Sequence, residues 1–166
     1  MRNGIKFYNV LFPLWFLLIF PISWLVVLPA NFVIDSIVLL MTLKLLKQND
    51  ILNTYKKLII KVWIFGFLSD FISAGFMFLT QIVEFGDWWY HHIANPVAYN
   101  PFDNPYSLFY VLLAITIAAV LIYFFNLKYS LKKMGTDIAA KKQIALSLAI
   151  FTAPYILLFP SQLLYK

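Results

Sequence analysis

Residues 7–43 read FYNVLFPLWFLLIFPISWLVVLPANFVIDSIVLLMTL, and their only formal charge is Asp35. As one helix this stretch would be about 55 Å long, nearly twice the roughly 30 Å hydrocarbon core of a bilayer. It is too apolar to leave a membrane and too long to cross one once, so it must double back. Leu28-Pro29-Ala30-Asn31 offers the place, because a proline lacks the N–H that a continuing helix needs. The reading is a first span at 7–28 and a short second span at 30–46. Pro13 and Pro21, which precede Pro29 at the same eight-residue spacing, are expected to kink the first span.

Three further apolar runs follow, at 62–83, 107–127 and 143–164. The expected fold is an all-α integral membrane protein, one domain over 1–166 built as a bundle of about five transmembrane helices. Composition agrees: 63% of the 166 residues are hydrophobic and 12% charged, where a soluble domain carries roughly a quarter charged. So small a body cannot bury that surplus of apolar surface, and lipid must solvate it. The basic, then apolar, start resembles a secretory signal, but the run continues to Leu28 with no small-x-small cleavage site. An uncleaved span is expected there.

The net charge of +6 is informative through its placement. Arg2 and Lys6 precede the first span. Lys44, Lys47, Lys56, Lys57 and Lys61 flank the second connection, and Lys128, Lys132, Lys133, Lys141 and Lys142 flank the fourth. With five spans all of these fall on one side and Lys166 alone on the other. The positive-inside rule then puts the N-terminus in and the C-terminus out. Short basic clusters between apolar runs suit anionic lipid, so the bilayer is the expected partner and nucleic acid is not. Lysine dominates the basic residues and Ile, Phe, Asn and Tyr are plentiful, the signature of AT-rich coding; the expected location is the plasma membrane of a low-GC bacterium.

The chain has no cysteine, which excludes disulfides, thiolate catalysis and cysteine metal sites. It has no Gly-rich phosphate loop, nucleophile elbow or metalloprotease motif, so no cofactor is expected and an enzyme is the less favoured reading. Chemistry must come from polar groups within spans. Asp35 and Asp70 have no Lys, Arg or His well inside any span to pair with, and an intramembrane acid costs several kcal/mol unless it is neutral, hydrogen-bonded or holding a cation. At 100° per residue Asn31, Asp35 and Thr42 fall within about 40° on the second span. On the third, Gly66, Asp70, Ser73, Thr80, Gln81 and Glu84 share a stripe about 100° wide that runs from the cytoplasmic side to the outer surface.

Three functions stay open at this point. The stripes can form a polar path in a protein that binds or transports a solute or ion, alone as a homo-oligomer or within a larger membrane complex. They can also hold helices together in a non-catalytic accessory or scaffold protein. An intramembrane aspartyl hydrolase would need the two carboxyls about 3 Å apart. The extracytoplasmic loop 84–106, with Trp88-Trp89-Tyr90, three Asn-Pro pairs and no Lys or Arg, is expected in the headgroup layer. If 84–93 is helical, Asp87 and His91 stand at i, i+4 with Glu84 a turn back and His92 adjacent, a spacing able to chelate a divalent metal. In the last two spans Ala114 and Ala118, and Ala145, Ala149 and Ala153, form small-residue stripes for close packing, and Pro154 frees a backbone carbonyl.

The orientation is tested with alkaline phosphatase fusions. One placed after residue 95 is expected to be active and one after residue 136 inactive; the reverse pattern overturns it.

Overall fold

The computed structural model describes residues 13–165. Arg2, Lys6 and Lys166, which anchor the expected ends of the topology, and the start of the first span lie outside the described residues. All regular structure among the described residues is helical: α1 Trp24–Leu45, α2 Ile51–Ile82, α3 Asp87–Trp89, α4 Asn95–Tyr99, α5 Pro105–Phe125 and α6 Ile138–Phe151. With their flanking turns, three stretches are long and apolar enough to cross a membrane: Pro21–Leu45, Ile51–Ile82 and Pro105–Ser130.

The helices form a square. α1 packs on α2 and α6, and α5 packs on the same two from the opposite corner. Local chemistry sets each boundary. The turn 46–50 reverses the chain through Lys47 and Asp50, both left-handed with φ of 49° and 52°. Asn104 caps α5: its Oδ1 accepts from the N–H groups of Tyr106 at 3.0 Å and Ser107 at 3.1 Å, with Pro105 where a missing N–H costs nothing. Asn100 does the same for the 3-10 turn Pro101–Asp103, accepting from Phe102 N at 3.2 Å. Asp137 caps α6 through Ala140 N at 3.3 Å.

α6 ends early. Pro154 has no N–H to return to Ile150, whose carbonyl instead takes the Tyr155 hydroxyl at 2.6 Å. Tyr155 N–H turns to Ala153 O at 2.8 Å. Beyond this break the chain continues as the 3-10 turns Tyr155–Leu158 and Ser161–Tyr165. The expected fifth span at 143–164 is therefore a helix only through Phe151.

The hairpin expected at Leu28–Asn31 is also corrected. Pro29 lies inside α1, and the chain bends at residues 19–23, where the 3-10 turns Leu14–Leu18 and Pro21–Ser23 meet. A residue before proline is driven to extended backbone, and Phe20, with φ −81° and ψ 122°, takes that conformation ahead of Pro21. The bend is held by the Ser23 hydroxyl, which donates to the carbonyls of Leu17 and Phe20, and by Trp24 Nε1 donating to Leu18 O at 3.0 Å. Near Pro29, the Leu28 carbonyl gains Trp63 Nε1 as a donor at 2.9 Å. The described part of the first span is thus a pair of 3-10 turns followed by the start of α1. The third and fourth apolar runs are helical, and α2 begins already at Ile51 and makes most of the basic connection helical.

Two apolar clusters fill the square. One joins Leu39 and Leu43 of α1, Leu58, Ile59 and Val62 of α2, Ile122 of α5, and Ile144 and Leu148 of α6. The other joins Trp15 and Leu18 to Ala74 and Met77 of α2, Val97, Val111 and Ala114, and to Ala153 and Leu157 beyond the break. The lysines of the described residues sit around the first cluster's end of the bundle. Side chains such as Val33, Ile37 and Met41 on α1, Ile60, Ile64 and Leu68 on α2, and Phe109, Val120 and Phe124 on α5 are exposed.

Helix contacts are close where small residues allow. Ala114, Ala118 and Ala145 are fully buried. Across α2 and α5, Ser73 Oγ donates to Ala114 O at 2.7 Å, Phe76 stacks on Tyr110 with centroids 4.6 Å apart, and Tyr110 Oη donates to Phe76 O at 2.9 Å. Across α1 and α6, the hydroxyls of Thr42 and Ser147 meet at 2.7 Å.

Ser73→Ala is expected to lower stability by about 0.5–1.5 kcal/mol, the range for an interhelical hydrogen bond in a membrane protein. Thr116→Ala, whose exposed hydroxyl only bonds Leu112 O in its own helix, is expected to stay within error. Equilibrium unfolding in mixed micelles compares the two.

Candidate functional site

Between the two apolar clusters lies a polar layer, at the level where α6 stops. Its register is reciprocal. Asn31 and Asp35 stand one turn apart on α1, Gly66 and Asp70 one turn apart on α2, and the helices run antiparallel. Asp70 Oδ2 accepts from Asn31 Nδ2 at 3.1 Å. Asp35 meets Gly66, where an added Cβ would lie 3.1 Å from Asp35 Oδ2. The missing side chain at Gly66 lets that carboxyl lie against the α2 backbone. Each helix thus lends an acid to the other.

Both acids are buried, with 3% of Asp35 and 5% of Asp70 exposed. Asp35 Oδ2 and Asp70 Oδ1 have no hydrogen-bond partner among the described residues. Thr152, in the unwound stretch after α6, lines the same cavity as Asp35, and its hydroxyl donates to Leu148 O at 2.9 Å. The two carboxyls share no hydrogen bond with each other among the described residues.

Where α6 ends, the adjoining part of α1 loses its helical neighbour, and a cavity of about 430 Å³ opens there. Asn31, Asp35, Gly66, Asp70 and Thr152 line it, together with apolar side chains of 14–18, α1 and 151–156; no Lys, Arg or His among the described residues does. The C-terminal end of α6 adds the partial negative charge of its dipole. Two carboxyls and a helix C-terminus converge on a space that no cation among the described residues lines, so the space suits a cation or a mobile proton.

The other residues singled out from sequence go elsewhere. Ser73 is committed to Ala114. Between Ser73 and Thr80 the fully buried Ala74 and Met77 belong to an apolar cluster, so the stripe on α2 forms no continuous polar path. Thr80, Gln81 and Glu84 line a separate pocket of about 340 Å³ with Asp87, Trp89 and Tyr90; there Thr80 Oγ1 donates to Met77 O at 2.8 Å and Gln81 Nε2 to Ala94 O at 2.9 Å.

The metal expectation fails: no three His, Asp or Glu side chains come together among the described residues. Glu84 is separated from the helix by Gly86, whose φ of 83° turns the chain. Residues Tyr90–Ala94 form a π turn, whose i→i+5 bonding takes His91 off the line above Asp87. His92 stacks on Trp88 with centroids 4.9 Å apart, and His91 sits edge-on to Tyr90. Sequence reasoning missed Thr152 and the walls at 14–18 and 151–156; the one available signal was a threonine two residues before a buried proline.

Comparison with known proteins finds no matching family model, no similar curated protein and no similar solved structure.

Gly66→Ala is expected to cost about 1–3 kcal/mol, as for overpacking at a tight site. In an Asp35→Ala background the same change should become neutral or mildly stabilising, since alanine is the better helix former. A double-mutant cycle on unfolding free energy measures the coupling; additive costs would mean that Asp35 does not press on Gly66.

Proposed function

We propose that this is a multi-pass membrane protein that binds a cationic solute or ion within its bundle and serves its passage across the membrane, alone, as a homo-oligomer or in a larger complex. The exposed apolar side chains of α1, α2 and α5 form a far larger continuous surface than soluble monomers expose, and lipid is the solvent that suits it. By the positive-inside rule the lysine-rich end faces the cytoplasm, while α3, α4 and residues 155–165 lie toward the outside. The lysine-heavy composition supports the plasma membrane of a low-GC bacterium.

The observation that carries the reading is the pair of buried acids, each with an oxygen unpartnered among the described residues, on the wall of a cavity beside an interrupted helix. Acids in a membrane interior are costly and are kept where they face a pathway or a ligand. Broken helices that place backbone ends near the bilayer centre are a recurring way of building ion and substrate sites in transporters. A purely structural role would use those oxygens up in helix contacts. A hydrolytic dyad would share a proton between the carboxyls, whereas here Asp70 is held by Asn31 and Asp35 lies against Gly66.

The test is thermal stability of the purified protein at constant ionic strength with Na+, K+, Mg2+ or ethylammonium as the varied cation. At least one is expected to raise Tm by several degrees in the wild type and not in an Asp35→Asn/Asp70→Asn variant that elutes and melts as a folded monodisperse species. No shift with any cation, or an equal shift in the variant, sinks the reading.

A further inference from the structure

We infer, building on that cation reading, that the occupant is an amphiphilic amine, an ammonium head with an apolar tail, that enters from the side of the bundle.

Size is the first ground. A cavity of about 430 Å³ falls in the range of small-molecule sites, roughly 300–1,000 Å³, and a bare ion would leave most of it empty. Lining chemistry is the second. The polar groups Asn31, Asp35, Asp70 and Thr152 gather at one place, and walls such as Leu17, Val27 and Phe151 are apolar. Hard cations such as Ca2+ take about six to eight oxygen ligands, and aliphatic walls supply none. An ammonium needs only acceptors for its N–H groups, and Asp35 and Asp70 each bring to the cavity wall a carboxyl with one oxygen that has no donor among the described residues. The remaining wall then matches a hydrocarbon tail.

The mouth gives the route. Val26, Ile34 and Ile156 line the cavity yet are 73%, 46% and 53% exposed, so the opening lies on the bundle's flank, between α1 and residues 152–156. Val26, Ala30 and Ile34 recur every fourth residue on one face of α1. At 1.5 Å per residue they stand about 16–28 Å from the Leu45 end, along the flank and away from the lysine-rich end. That end is closed by the packed cluster around Leu39 and Leu148. Toward the other end Trp15 and Leu18 are buried, and Leu14 N–H donates to Ser161 Oγ at 2.8 Å. An apolar flank admits a molecule that already partitions into lipid.

The test is calorimetric titration of nanodisc-embedded protein with n-alkylamines from ethyl to octyl, beside the matching n-alcohols and empty nanodiscs. Affinity above the empty-disc background is expected to rise up to about fourfold per methylene, and alcohols should bind far more weakly. Ala30→Phe, at an exposed position on the mouth, should abolish the chain-length dependence. If small cations bind with no dependence on chain length, or Ala30→Phe changes nothing, the amphiphile is overturned while the cation reading stands. Octanol binding as tightly as octylamine overturns recognition of the charged head. If neither inorganic cation nor amine binds, both fall.

Discussion

A proline inside a helix removes one backbone hydrogen bond; α1 carries that loss at Pro29 and continues, whereas at Pro154 the chain leaves the helix. The shape of the interior follows from that. With α6 ended at Phe151, α1 and α2 run on past the corner it occupied, and the 3-10 turns at 14–18 and 155–158 cover only part of what is left. The two apolar clusters meet at this level without merging, and the polar layer occupies the seam. In an uninterrupted square the corresponding residues of α6 would pack against α1, and its acid would have no open space before it.

The seam also sets the register of α1 against α2. Sliding the helices by one turn would bring Asp35 opposite Asp70 and leave Asn31 without its carboxylate partner. Like charges in a poorly solvated interior repel strongly, and Gly66 offers Asp35 the one place on this face where a carboxyl fits against backbone. Apolar packing of leucine and isoleucine is tolerant of such slips because it lacks direction. A few polar contacts of fixed geometry restrict the choices, much as single buried polar residues fix register in coiled coils.

Much of the fold was legible because its signals are one-dimensional. The runs underlying α2 and α5 show as long apolar stretches, and Asn104-Pro105 marks a helix start by chemistry that needs no neighbours. What failed depended on partners or on competition between similar signals. Pro21 and Pro29 look alike in sequence, and Phe20, Ser23 and Trp24 decide between them through contacts across the bend. Lysines 56, 57 and 61 read as a loop, yet charge is compatible with a helix that outruns the apolar layer. For the site, helical periodicity found Asn31, Asp35, Gly66 and Asp70. It also grouped Thr80, Gln81 and Glu84 with them, because periodicity reports which face a residue occupies and not what stands opposite. Met77 on α2 and the π turn at Tyr90–Ala94 are three-dimensional facts of that kind.

The bond from Leu14 N–H to Ser161 Oγ spans a sequence separation of 147, nearly the whole described chain. A ribosome adding about 5–20 residues per second would need roughly 7–30 s to make the second partner after the first. During that interval α1, α2 and α5 can already be side by side, while the segment around Trp15 has nothing at residues 153–161 to settle on. The acid-lined chamber is therefore walled in last, and the nascent protein passes through a stage in which Asp35 and Asp70 face an open trough. Any factor that attends the membrane during synthesis meets that trough before the finished chamber exists.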